Sequence, residues 1–182
     1  MPGKWERTWA DRVRRPLELV LTEVDEQVER LRDGTLAMCF VRGERGVDLD
    51  GDLLHVIPLY REQPVVVASA EHPVAAYDEI EVAELRGEHD VLAENPGLSV
   101  QHAIETVAAG TGIVIVPMSL ARLHHRKDAA WRPVHGVPDY PVGLAWLRDP
   151  PPGLSAADRD AREEAVQTFV GIVRGRTTNS SR

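Results

Sequence analysis

The run Val107-Ala108-Ala109-Gly110-Thr111-Gly112-Ile113-Val114-Ile115-Val116-Pro117 sets the reading of this chain. Upstream of it, Val100 to Ala109 repeats apolar residues at helical spacing, and Ser99 stands where a capping hydroxyl belongs. Gly110 suits the left-handed turn that ends a helix, and Gly112 lets that turn approach the next segment closely. Ile113 to Val116 is an unbroken β-branched run, the pattern of a strand covered on both faces. Pro117 stops it. From these residues alone, an ordinary helix-to-strand turn reads equally well.

Working outward, the same alternation continues. Trp5, Trp9 and Val13 recur every four residues and predict a helix over 4–14, closed by Pro16. Leu17 to Leu21 reads as a short buried strand. Thr22 with Asp25 matches a capping box for a helix ending near Arg32, before Gly34. Leu36–Val41, Leu53–Leu59 and Pro64–Ser69 have strand length, and the polar, glycine-rich stretch Gly43 to Asp52 between them is a loop. A short helical segment at Val82–Leu85 and a brief strand at Val91–Ala93 precede the central run. Beyond Pro117, Ser119 opens a helix to about His125, and Trp131–Val134 and Pro141–Leu147 read as strands. Ser155 with Asp158 caps a last helix to about Val173, and 175–182 is a flexible tail. Such alternation predicts an α/β fold with a largely parallel sheet.

Bulk properties narrow the function. The 182 residues are 43% hydrophobic and 27% charged, within the range of globular proteins. A formal charge of −8 disfavours nucleic acid and anionic membranes as partners. The single cysteine, Cys39, excludes an internal disulfide. No apolar run approaches the roughly 20 residues of a membrane span, and no signal-peptide core is present. A cytoplasmic location is expected.

Three stretches, in order, resemble the effector-binding domain of LysR-type transcriptional regulators. The first runs from Val28 through Leu31, Gly34 and Ala37 to Phe40. The second joins Pro58, Tyr60, Glu62 and Val65–Val67 to Glu71-His72-Pro73. The third is the central run to Pro117, the most specific of them. The resemblance covers Leu17 to Leu147 and implies a two-lobed type 2 periplasmic-binding-protein-like fold. It implies lobe I from 1–62, lobe II from 63–134 and a return segment of lobe I at 135–174. The strand ending at Pro117 is then expected inside a sheet shared by both lobes. Two departures stand out. Ala37 takes the place of the family's usual Asp, and Met1-Pro2-Gly3 leads almost directly into the first helix. The N-terminal central strand is thus truncated, and either lies upstream or comes from a partner. The helix-turn-helix is absent.

The resemblance implies an effector-sensing or accessory regulatory role without direct nucleic-acid binding. A small, anionic metabolite is the expected ligand, and a homodimer or a pairing with a LysR-type relative the expected assembly. A stand-alone solute-binding protein is the alternative, and a small-molecule enzyme is less favoured. Five residues are candidates for holding an organic acid. Lys4 and Trp5 sit at the first helix's N-terminus, where amide donors favour an anion. Arg42 follows its strand, and Ser69 and Gln101 are placed as in the family. No catalytic residue, cofactor or metal is expected. Asp48-Leu49-Asp50-Gly51-Asp52 lacks the glycine and glutamate of a calcium loop. The histidines at 89, 102, 124, 125 and 135 lack metal spacing, no nucleophile elbow or P-loop occurs, and Cys39 reads as a buried structural thiol. Trp5 and Trp9 read more readily as core or dimer contacts than as a stacking pair.

Overall fold

The computed structural model describes residues 2–23, 26–42 and 52–175. Its contacts divide the chain into two units, Met1–Tyr60 with Pro141–Arg182, and Arg61–Tyr140. No helix among the described residues is long and apolar enough to cross a membrane.

Unit 1 carries α1 (Pro2–Arg12), α2 (Gln27–Arg32), β1 (Cys39–Arg42) and the long α6 (Ala156–Val173). With β2 (Leu54–Glu62) and β7 (Tyr140–Leu147), β1 forms a sheet of order β1-β7-β2. β1 runs antiparallel to β7, with Cys39 opposite Ala145 and Arg42 opposite Val142. The apolar stripe of α1 does what its four-residue spacing requires. Trp9 is buried with Phe169, Val166 and Val170 of α6, and Trp5 and Val13 pack at the margin of that cluster. The indole N–H of Trp9 donates to the Arg15 carbonyl at 2.7 Å, so burying the ring strands no polar group. A second cluster sets Leu31 of α2 against Cys39, Val41, Leu54 and Ala145.

Unit 2 holds β3 (Pro64–Ser69), β4 (Ile80–Glu81), α3 (Val91–Glu94), α4 (Val100–Ala108), β5 (Ile113–Pro117), α5 (Met118–Leu123) and β6 (Ala129–His135). Its sheet has the order β4-β6-β3-β5. Apolar residues cover both faces. Val65, Val67, Val114 and Val116 meet Ala103, Ile104 and Val107 of α4 on one side. Val66, Ala68, Ile113 and Val134 meet Val74, Ile80 and Leu85 on the other. The unbroken β-branched run at 113–116 reflects this double burial.

Several expectations need correction. The pairings β3–β5, β3–β6 and β1–β7 are antiparallel, and β4–β6 is parallel. Alternation along the chain predicted the elements but could not fix their direction. β5 is also not an inner strand of a shared sheet. It is the terminal strand of a sheet lying within unit 2, followed only by a single bridge between Ile113 and Asp90. The Ile113 N–H donates to the His89 carbonyl at 2.9 Å, and α3 packs beside the strand, so its edge is covered without a further ladder.

Val91–Ala93 is helical because the Asp90 carboxylate accepts from the N–H groups of Leu92 and Ala93 and nucleates a turn. Leu17 to Leu21 forms no strand among the described residues, and Leu19, Val20 and Leu21 are exposed. Thr22 does not cap α2. Its hydroxyl reaches back to the Val20 carbonyl at 3.5 Å, and the helix begins only at Gln27. The acidic loop at 43–51 lies outside the described residues.

Candidate effector site

The candidates of unit 1 sit on α1 and at the end of β1. Lys4 is exposed in the first turn of α1, where unpaired amides carry partial positive charge. Trp5, one residue on, is half-buried and committed to packing. Its ring stacks on Phe40 at 5.5 Å and 15°, and lies 6.3 Å from the ring of Tyr60. The helical register that turns Trp5 inward leaves Lys4 facing out, so the two do not act as one cluster. Arg42 is the last residue of β1 and half-buried. Its charge reaches Cys39, where it opposes the larger effect of burial, which pushes that thiol up to about 11. Cys39 is therefore protonated at neutral pH and inert as a nucleophile.

The candidates of unit 2 sit where β3 ends and α4 begins. Ser69, half-buried, accepts a hydrogen bond from the Glu71 N–H at 3.3 Å, and its carbonyl accepts from the His72 N–H at 3.0 Å. Gln101 is exposed in the first turn of α4, and its amide donates to Glu105 at 3.1 Å. That turn is closed by Ser99, whose hydroxyl accepts from the His102 N–H at 3.3 Å. Both candidates thus have local partners that a ligand would have to replace or share.

Sequence reasoning missed two polar features. Glu62 is buried, and the Ser119 hydroxyl donates to its carboxylate at 2.7 Å. A buried carboxylate needs such a donor, but Glu62 and Ser119 are 57 residues apart, so no local pattern links them. The second is a cavity of about 230 Å³ in unit 1, lined by Ala37, Trp146, Arg148, Arg159, Arg162 and Val166 among others. Arg162 is half-buried there and donates to the carbonyls of Gly34, at 3.2 Å, and Leu36. Burial lowers its pKa. None of the five candidates lines this cavity. Two of the histidines pair with carboxylates, His89 with Glu94 at 2.7 Å and His135 with Glu79 at 3.1 Å. No metal-holding group of three or more such side chains occurs among the described residues.

With this geometry in place, known proteins are informative. The sequence profile described as the LysR substrate binding domain matches residues 14–98. The match spans just under half of the chain, and over that stretch the chain is similar to this family. No curated protein matches the chain by sequence. Among solved structures, a mutant of OxyR from Corynebacterium glutamicum is 21% identical, with a TM-score of 0.59. The alignment covers 96% of this chain and 64% of that one, so this chain spans under two-thirds of that relative's length. A mutant OxyR regulatory domain from Pseudomonas aeruginosa is 22% identical, with a TM-score of 0.60 and coverage of 95% and 87%. The BenM effector binding domain with its effector benzoate is 17% identical, with a TM-score of 0.56 and coverage of 98% and 87%. The chain therefore has the two-lobed fold of the LysR-type effector-binding domains.

Proposed function

We propose that this chain is a small-molecule sensor of the LysR type, which binds an organic anion without chemistry and acts through a homodimer or by pairing with a LysR-type relative. The match of residues 14–98 to the LysR substrate binding domain carries this reading. The benzoate of the BenM domain supports a carboxylate as the first ligand class to try. Lys4, Trp5 and Arg42 on unit 1, and Ser69 and Gln101 on unit 2, are the proposed ligand contacts. Arg42 is the strongest of them, because a half-buried guanidinium offers forked, charge-assisted hydrogen bonds to a carboxylate. Trp5 contributes through its edge, since its face is already stacked.

Thermal unfolding in the presence of benzoate and a panel of aromatic and aliphatic carboxylates tests the reading, with the matching amides as controls. A true effector at about 100 times its Kd adds about 2.7 kcal/mol of stability. The expected result is stabilisation by one carboxylate class and none by its amides. Arg42→Ala should weaken that binding by roughly tenfold or more. Turnover of the stabilising compound, or equal stabilisation by acid and amide, would overturn the proposal.

A further inference from the structure

The guanidinium groups of Arg148, Arg159 and Arg162 line the cavity of about 230 Å³ in unit 1, together with the carboxylates of Asp160 and Glu163. Arg162 is half-buried, and its two bonds go to the carbonyls of Gly34 and Leu36, which carry no net charge. A cation taken partly out of water costs free energy unless an anion lies close. No carboxylate pairs with Arg162 among the described residues. Arg159, one turn earlier on α6, makes no side-chain hydrogen bond or ion pair among them either. Glu163 stands at the spacing from Arg159 where helical ion pairs form. Its carboxylate instead accepts from the Gln167 amide at 2.8 Å. Two guanidinium groups of the cavity thus lack a counter-ion, and Trp146, Val166 and Ala37 add neutral wall.

We propose that this cavity is a second ligand site, which takes a phosphate group, either the free ion or the monoester of a small molecule. It goes beyond the sensor reading above, whose five proposed contacts all lie outside this cavity. One guanidinium fork satisfies one carboxylate. Several guanidinium groups around one space suit an anion with more oxygens and more charge. A phosphate monoester has such a group, with a charge of about −1.5 to −2 at pH 7 and acceptor oxygens on several sides. Arg162 can hold it without leaving Gly34 and Leu36, because a guanidinium has more N–H donors than those two bonds use. Trp146 and Val166 offer an apolar wall to the carbon part of an ester. The volume falls below the roughly 300–1,000 Å³ of drug-sized sites, so that carbon part is short.

Isothermal titration calorimetry on the full chain tests this with inorganic phosphate and glycerol phosphate, sodium chloride holding the ionic strength constant. At least one of the two should bind with a Kd of about 1 mM or tighter. The tighter of them identifies the free ion or the monoester as the ligand. Dimethyl phosphate, with one charge and fewer free oxygens, should bind about tenfold more weakly. Arg159→Ala should weaken phosphate binding by about tenfold, and it spares the fold, because that side chain is exposed and has no partner among the described residues. Ala37→Asp sets a carboxylate into the wall of the cavity and should abolish binding while Arg162 stays in place to tie α6 to Gly34 and Leu36. No binding of either phosphate at millimolar concentration would overturn the site. So would equal affinity for dimethyl phosphate, or binding that either variant leaves unchanged. The carboxylate reading is judged by its own ligand panel and by Arg42→Ala, so the two fail separately.

Discussion

Gly112 sits at φ +75°, and a Cβ built on it would lie 2.2 Å from the His89 carbonyl oxygen. That carbonyl cannot retreat, because it accepts the Ile113 N–H at 2.9 Å and so helps to cover the edge of β5. Gly110, two residues earlier, has a similar φ of +93° but nothing within 4 Å of its Cβ position. The two glycines therefore separate conformational cost from steric cost. Gly110→Ala should cost about 1 kcal/mol, the penalty for a left-handed alanine. Gly112→Ala should cost about 3 kcal/mol, because backbone must also move. Urea unfolding of the two variants measures the gap, and equal losses would mean that the contact with His89 is not rigid.

At the scale of elements, end signals were more legible than strand partners. Ser155 was readable as a helix cap, and its hydroxyl accepts from the Asp158 N–H at 3.2 Å at the start of α6. Since α6 carries Val166, Phe169 and Val170 into the core of unit 1, its first turn is coupled to that packing. Ser155→Ala should cost about 1 kcal/mol, and Ser155→Asp should recover most of it. A thermal melt of both variants checks this, and no loss in the alanine variant would show the turn to be held by the side chains around it. Ser99 was equally legible, because one side chain and one amide three residues on suffice. Thr22 carried the same local signal, but α2 starts at Gln27 behind Glu26, which makes no side-chain cap bond. Strand direction and the terminal place of β5 depend on which segments meet, and residue spacing does not encode that. The candidate site was legible in the same limited way. Arg42 and Ser69 could be placed at strand ends from the sequence, whereas the buried Glu62 with Ser119 depends on a distant meeting.

At the scale of the whole molecule, charge decides between partners. The formal charge is −8, so at long range the chain repels polyanions. At physiological salt the Debye length is about 8 Å, and only groups near a ligand are felt. A small carboxylate at the proposed Arg42 contact would then experience mostly the charges nearest to it. A duplex spans many Debye lengths and meets the net charge. The arginine-rich end of α1 does not change this, because Arg12, Arg14 and Arg15 are followed closely by Glu18 and Glu23. The chain alone should therefore not retard duplex DNA at physiological salt, and a carboxylate effector should bind with only weak salt dependence. Micromolar DNA binding with log K falling steeply against log salt, the mark of several released counterions, would show a basic surface hidden by the net charge. Retention of DNA only after mixing with a LysR-type partner would instead place the contact on that partner, leaving this chain as the element that senses.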